Sequence, residues 1–309
     1  MKARTRRDQQ LPGPQNECNV NGVRFAAMGQ ALESVRFGVP RPALGPCLAV
    51  LDKSFLDGVK SAHLEYYVQQ GWIFALPEIL MFELLYKSDP RRIADLFKLH
   101  GIERNLVVLP GIGEMLRAEA EHLKLATTVL KAKSVEFIVA KGPSGEYFEL
   151  DPNALASTKE RTAETKRKVF LLVSAWRDFV RIPALQDAKP NELPIRIQEL
   201  REQIRDDIED IRGFYGNHRD PTKQPAPELL DERWASFRYI QVLLLAGLDY
   251  FERYGAKTEP KAEKINNEIL DLDYLVPALL VGGLASHDKP LLQRFKFLCP
   301  KGMILGLKP

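Results

Sequence analysis

The segment Ile269–Leu292 reads ILDLDYLVPALLVGGLASHDKPLL. Within it, Asp271 and Asp273 come just before an apolar run over Tyr274–Leu280. An acid directly ahead of an apolar run is typical of a helix start, because its carboxylate can accept hydrogen bonds from the free backbone N–H groups there. The sequence therefore predicts a short helix that begins near Tyr274, with Asp273 at its start.

A glycine turn and a very short buried strand are predicted after this helix. Val281–Ala285 reads VGGLA, and the following Ser286–Lys289 reads SHDK. Asp288 thus falls just beyond the carboxyl end of the predicted strand. Ligands of open α/β sheets bind in a crevice outside the carboxyl ends of the strands. We expect Asp273 and Asp288 to face such a crevice.

Three further apolar runs of strand length precede this stretch. They are Cys47–Leu51, Trp72–Leu76 and Asn105–Leu109, and Asp52 directly follows the first of them. Continuous apolar runs are typical of strands that are covered on both faces of a parallel sheet. Because helix-like segments separate the runs, the sequence predicts an α/β fold with a central parallel sheet. A last strand is predicted at Phe295–Leu298.

Another candidate acid lies on the helix predicted after the second of these strands. Pro77 occupies the favoured first-turn position of that helix, and Glu83 follows within the same helix. Its neighbours Phe82 and Leu84 are apolar, and a carboxylate among apolar side chains requires a hydrogen-bonding partner or a functional role. Glu78 is the alternative acid on this helix, but Glu83 has the better spacing to the apolar pair that follows.

The middle of the chain departs from the alternation of strands and helices. Val135–Leu150 contains two strand-like runs joined by Gly142–Gly145, which predicts a β-hairpin. Amphipathic helical patterns continue from there to about residue 260. The predicted organisation is an N-terminal arm at 1–44, an α/β domain at 45–132 and 261–309, and an insertion at 133–260 made of the hairpin and helices.

Composition limits the class of protein. The chain has 309 residues and a formal net charge of +3, which permits a polyanionic partner without requiring one. Its three cysteines, Cys18, Cys47 and Cys299, lack metal-site spacing, so we expect free thiols in a reducing compartment. Apolar runs such as Val242–Leu248 are much shorter than the roughly 20 residues of a membrane span, and the basic start lacks the apolar segment of a secretory signal. We therefore expect a soluble, cytoplasmic protein.

Two basic clusters are candidates for contact with a phosphate backbone. One is the run KERTAETKRK at Lys159–Lys168, and the other is the group Lys2, Arg4, Arg6 and Arg7. Each also fits a solvated helix face or a solvated tail, which needs no function.

The acids Asp52, Glu83, Asp273 and Asp288 occur in an order and local context that resemble the PIN-domain family of metal-dependent nucleases. The resemblance covers roughly residues 45–110 and 265–300. The segments that carry it are LAVLDKS (Leu48–Ser54), IFALPEILMFELL (Ile73–Leu85), DYLVPAL (Asp273–Leu279) and LASHDK (Leu284–Lys289). Two departures are a much longer central segment and Pro277, which stands where the family usually has a small residue.

The resemblance implies a three-layer PIN-like fold whose acids bind Mg²⁺ or Mn²⁺, hard ions that prefer oxygen ligands. The implied metal-binding and catalytic residues are Asp52, Glu83, Asp273 and Asp288. The implied supporting residues are Ser54, Ser286 and Asp271. The implied phosphate contacts are Lys53, His287 and Lys289, although the last two also fit solvated turn residues.

The implied activity is hydrolysis of phosphodiester bonds by metal-activated water, with single-stranded RNA as the favoured substrate and DNA as the alternative. The helical insertion could gate the site, bind a second copy of the chain or recruit a protein partner, and the sequence does not separate these roles. A catalytically silent PIN-like module for binding or assembly stays open as an alternative. So do structural roles for single acids, such as a cap for Asp273 and a turn for Asp288. A phosphatase of the haloacid dehalogenase type usually needs a second acid where this chain has Ser54, which argues against that class.

Overall fold

The computed structural model describes residues 47–86, 90–134, 175–255 and 262–306. Shorter described segments are 19–20, 23–24, 136–137, 139–142, 145–148 and 172–173. The strands are β1 (Asn19–Val20), β2 (Val23–Arg24), β3 (Cys47–Leu51), β4 (Trp72–Leu76), β5 (Leu106–Val108), β6 (Lys133–Ser134), β7 (Glu136–Phe137), β8 (Val139–Gly142), β9 (Gly145–Phe148), β10 (Gly283–Ala285) and β11 (Met303–Leu305).

The helices with defined bounds are α1 (Lys53–Gly58), α2 (Ser61–Gln69), α3 (Glu78–Tyr86), α4 (Pro90–His100), α5 (Ile112–His122), α6 (Ala126–Val129), α7 (Pro183–Gln186), α8 (Leu193–Asp206), α9 (Ile208–His218), α10 (Ala235–Tyr254), α11 (Ala262–Val281) and α12 (Lys289–Leu298). Short 3-10 helices occur at Glu103–Asn105 and Pro227–Leu229. Residues 172–173 and 175–180 are also helical.

A six-stranded sheet in the order β11-β10-β3-β4-β5-β6 forms the centre of the fold. The first five strands run parallel, and β6 pairs antiparallel with β5 at the edge. Val50, Leu51 and Leu76 are completely buried, as expected for strands covered on both faces. Helices flank the sheet. The predicted α/β fold with a central parallel sheet is therefore confirmed.

The order of the strands reverses between β3 and β10. The chain continues from β3 to β4 on one side, whereas β10 pairs with the other side of β3. Ala285 is the register partner of Leu51, so these two strands end side by side. The residues that follow them, Asp52 and Ser286, consequently lie at the point where open α/β sheets bind ligands.

The long helix α10 shares one hydrophobic core with the sheet. It packs against α11, α8 and α5, and its buried residues Leu245 and Leu248 belong to the same apolar cluster as the strands. The predicted domain boundaries stay a prediction.

Although α10 and α11 each contain 20 residues, no helix in the described ranges combines the length and apolar character needed to cross a membrane.

Helix α11 is longer than predicted and contains Asp273 in its interior. Because the helix begins at Ala262, the prediction that Asp273 lies at a helix start was wrong. Ile269 and Leu272 are buried at helical spacing and extend the apolar face towards the N-terminus. Pro277 lies inside the helix, and its missing N–H removes the usual helical partner of the Asp273 carbonyl.

The prediction of a strand at Phe295–Leu298 was also wrong, because these residues form the end of α12. A four-residue apolar run fits a strand and a helix equally well by periodicity alone. The last strand is instead β11. The buried residues of α12 recur at helical spacing and are Leu291, Arg294, Phe295 and Leu298.

The predicted hairpin is confirmed by the antiparallel pairing of β8 with β9, in which Gly142 is the register partner of Gly145. In addition, β7 pairs with β2, and β2 pairs with β1. Part of the N-terminal arm therefore forms a small sheet with the insertion. The rest of the arm and both basic clusters lie outside the described residues.

The pairing of β10 with β3 requires a residue without a side chain at position 283. A Cβ atom on Gly283 would lie 2.2 Å from the carbonyl oxygen of Leu48. Glycine is required at position 283 because no space is left for a side chain. The preceding Gly282 is favoured for a different reason, its backbone conformation, since its φ is positive at 78°.

Gly283→Ala is expected to lower the free energy of unfolding by about 1–3 kcal/mol, because the added methyl group overlaps the β3 backbone. Gly213→Ala is the matched control, since Gly213 lies inside α9 and an added Cβ meets nothing within 4 Å. Alanine at 213 is expected to raise the free energy of unfolding by about 0.5–1 kcal/mol. Urea unfolding measures both changes, and a Gly283→Ala variant as stable as wild type would contradict the close approach.

A buried carboxylate connects α5 to the insertion. Glu119 is completely buried, and its Oε1 accepts the N–H groups of Ala235 at 2.7 Å and Ala126 at 3.2 Å. Its Oε2 accepts the N–H of Ser236 at 2.9 Å and the hydroxyl of the same residue at 2.7 Å. Burial raises the pKa of Glu119, while these donors act in the opposite direction. Glu119 thus satisfies free N–H groups at the starts of α6 and α10.

Glu119→Gln is expected to destabilise the protein, because an amide has one oxygen while both oxygens of Glu119 accept two donors each. In either orientation the NH₂ group faces at least one buried backbone N–H, which can only donate, and each unsatisfied donor costs about 1–3 kcal/mol. Thermal and urea unfolding test this. Glu121→Gln, at an exposed position on the same helix, is the control and is expected to stay near wild type.

Candidate functional site

Asp52 is the best-defined polar group at the strand reversal. It directly follows β3, only 6% of its surface is exposed, and its Oδ2 accepts the Ser286 hydroxyl at 2.6 Å. The Ser54 hydroxyl donates to the same oxygen. Ser54 belongs to the first turn of α1 and Ser286 follows β10, so the register of the two strands brings both hydroxyls to one carboxylate.

The two serines are themselves fixed by backbone N–H groups. The N–H of His287 donates to Ser54 Oγ at 3.0 Å, and the N–H of Asp288 donates to Ser286 Oγ at 2.9 Å. Each hydroxyl accepts one of these bonds and gives its single hydrogen to Asp52. Oδ2 is thereby held by two oriented donors, while Oδ1 has no hydrogen bond within the described part of the chain. The hydrogen bonds expected of Ser54 and Ser286 are therefore present.

His287 is not a solvated turn residue. Its Nδ1 lies 3.1 Å from the carbonyl oxygen of Ser54, and its ring centroid is 5.0 Å from that of Phe55. A carbonyl only accepts, so Nδ1 carries a hydrogen and Nε2 of the neutral ring is an acceptor. Nε2 is buried and has no hydrogen-bond partner among the described residues. A phosphate contact through Nε2 would require the protonated ring. Because Nδ1 binds a main-chain carbonyl, the group does not form a Ser-His-Asp triad.

Glu83 accepts a hydrogen bond from a buried tyrosine. The Tyr274 hydroxyl, on α11, donates to Glu83 Oε2 on α3. Only 3% of Tyr274 is exposed, whereas Glu83 is half-buried. Burial raises the pKa of Tyr274 well above its ordinary value, and the charges of Glu83 and then Asp52 raise it further. The phenol therefore stays protonated.

Tyr274 is the functional candidate that the sequence interpretation missed. In the sequence it is simply the first residue of the apolar run Tyr274–Leu280. The available signal was chemical, because a tyrosine inside an apolar helix face usually needs a hydrogen-bond partner for its hydroxyl. The identity of that partner depends on the packing of α11 against α3, which no local pattern in the sequence indicates.

The remaining predicted acids lie in different surroundings. Asp288 caps α12, where its Oδ1 accepts the N–H of Leu291 at 2.8 Å. Asp273 is half-buried in the interior of α11. Asp271 lies 3.6 Å from Nη1 of Arg294. The structure therefore places Asp271 beside Arg294.

The predicted phosphate contact through Lys53 is not supported by its position. Its Nζ lies 3.1 Å from Asp95 Oδ2 and also contacts Asp57. Asp95 is buried and binds Lys98 Nζ at 2.9 Å as well, so Lys53 connects α1 to α4. Lys289 is exposed at the start of α12.

The donor set at the strand reversal fits one mode of metal binding. Within the described residues, no group of three or more His, Cys, Asp or Glu side chains is arranged to hold a metal ion. Mg²⁺ in phosphoryl-transfer sites, however, is usually bound by one or two carboxylates together with water and substrate phosphates. Asp52 and Glu83 would supply the carboxylates of such a site, and the described residues form no closed four-carboxylate cage.

Comparisons with protein-family models, with curated proteins and with solved structures found no match to this chain. The resemblance to PIN domains therefore depends on the four sequence segments alone.

Substitutions of Asp288 should separate its capping role from a role of its charge. Asp288→Ala is expected to lower the free energy of unfolding by about 1 kcal/mol, because the N–H of Leu291 loses its acceptor. Asp288→Asn keeps a good capping group, so its stability is expected to stay within a few tenths of a kcal/mol of wild type. Urea unfolding of both variants measures this. If both lose stability equally, the charge of Asp288 matters more than the cap.

Proposed function

We propose that this chain is a metal-dependent phosphodiester hydrolase that acts on single-stranded RNA. The observation that carries the proposal is the position of Asp52, a buried carboxylate fixed by two serine hydroxyls where the strand order reverses. This is the location at which open α/β sheets bind ligands. The residue order that resembles PIN domains supplies the reaction class.

Each residue of the site has a chemical task in this proposal. Ser54 and Ser286 fix one oxygen of Asp52, which leaves the other oxygen for a cation. Glu83, which accepts a hydrogen bond from Tyr274, supplies a second carboxylate. A bound Mg²⁺ or Mn²⁺ would lower the pKa of a coordinated water and offset the charge of the phosphate in the transition state.

Asp273 and Asp288 remain in the proposal as outer carboxylates. Asp273 is adjacent in sequence to Tyr274, and Asp288 uses one carboxylate oxygen for its helix cap. Neither is required to complete a site that also takes ligands from water and substrate. The choice of RNA and of a cytoplasmic location follows from the resemblance and from the scattered cysteines.

The test is cleavage of labelled single-stranded RNA and DNA of the same sequence by the full chain, with Mn²⁺, with Mg²⁺ and with EDTA. Wild type is expected to cut RNA only with metal. Asp52→Asn is expected to reduce the rate by about two orders of magnitude or more, because one metal ligand and its charge are lost. Asp206→Asn is the control, since Asp206 is 63% exposed and pairs with the neighbouring Arg205.

Circular dichroism and urea unfolding show whether Asp52→Asn is folded. Cleavage of DNA in preference to RNA would keep the hydrolase and change its substrate. A folded wild type that cuts neither polymer and binds no Mn²⁺ by calorimetry would contradict the proposal, and a binding or assembly module would then be the better description.

A further inference from the structure

We propose that Tyr274 is a positioning residue of this site, and that its hydroxyl holds the Glu83 carboxylate in place beside Asp52 for binding of a divalent cation. The inference rests on the proposed function, because it concerns how the same site binds its metal. It adds a residue that the resemblance to PIN domains does not indicate.

The first argument is the geometry of the contact. The Tyr274 ring is buried on α11, and α11 packs against both β3 and α3. Its hydroxyl donates to Glu83 Oε2 on α3, and Asp52 directly follows β3. The packing of α11 against β3 and α3 thus brings together the elements that carry the two carboxylates.

The second argument concerns the freedom of the glutamate. Glu83 is only half-buried, and a glutamate side chain has three rotatable bonds that lose freedom when it becomes a ligand. Asp52 is shorter and is already fixed by two hydroxyls. A buried donor on Oε2 orders Glu83 before the cation binds, so that less conformational entropy is lost on binding.

The third argument concerns the choice of donor. An ammonium or guanidinium group in the place of the phenol would neutralise Glu83 and compete with a cation. A phenol orders the carboxylate without adding positive charge. The Tyr274 contact therefore does not itself reduce the negative charge that attracts a divalent ion.

The experiment measures Mn²⁺ affinity by calorimetry and unfolding free energy without metal, for wild type, Tyr274→Phe, Glu83→Gln and the double variant. Tyr274→Phe keeps the ring and removes the hydroxyl. We expect it to weaken Mn²⁺ binding by about 10–100-fold, the usual range for a group that orients a metal ligand. In the Glu83→Gln background, the same change is expected to have little further effect, because Tyr274 acts through Glu83.

Tyr215→Phe is the matched control. Tyr215 is also buried, with 6% of its surface exposed, and its hydroxyl has no hydrogen-bond partner among the described residues. Burial raises the pKa of Tyr215 to about 12. Removal of this hydroxyl is expected to leave Mn²⁺ affinity unchanged.

The outcomes separate the inference from the proposed function. If wild type binds Mn²⁺ and Tyr274→Phe binds equally well, the inference fails and the proposed function stands. The inference also fails if Tyr274→Phe loses only stability, or if its effect on affinity adds fully to that of Glu83→Gln. If wild type binds no Mn²⁺, the proposed function fails and the inference fails with it.

Discussion

The candidate site depends on the pairing of β3 with β10. These strands are far apart in the chain, yet their register places Asp52 and Ser286 at neighbouring strand ends. Gly283 permits this pairing because a Cβ at that position would overlap the carbonyl of Leu48. The hydrogen bond between Asp52 and Ser286 spans 234 positions in sequence. The polar side chains of the site are thus brought together by the close pairing of two short strands.

Buried acids in this protein have different roles according to their donors. Glu119 receives three backbone N–H groups and one hydroxyl, so all of its acceptor capacity is used to hold helix starts together. Asp95 on α4 forms ion pairs with Lys98 of the same helix and with Lys53 of α1, and the second pair connects the two helices. Among the described residues, Asp52 receives two hydroxyls, both on Oδ2. A buried carboxylate with remaining acceptor capacity is the one suited to bind a ligand.

Local chemistry explains which parts of the site could be predicted from sequence. Asp52 follows a continuous apolar run, and Ser286 follows a glycine turn and a short apolar run, so their places at strand ends were evident from neighbouring residues. Asp273 was misplaced because an acid before an apolar run fits a helix start as well as a helix interior. Tyr274 was missed because its partner Glu83 is 191 positions away, and helix packing alone determines that contact.

The distribution of charge around Asp52 is the strongest physical reason to expect a cation there. Lys53 is the nearest lysine in sequence, but its ammonium is bound by Asp57 and Asp95. In the described part of the chain, Asp52 forms no ion pair, and its donors are neutral hydroxyls. Neutral donors orient a carboxylate without cancelling its charge, whereas a lysine would orient the carboxylate and also cancel its charge. A fixed carboxylate without an ion-pair partner among the described residues keeps a negative potential that a divalent ion would relieve.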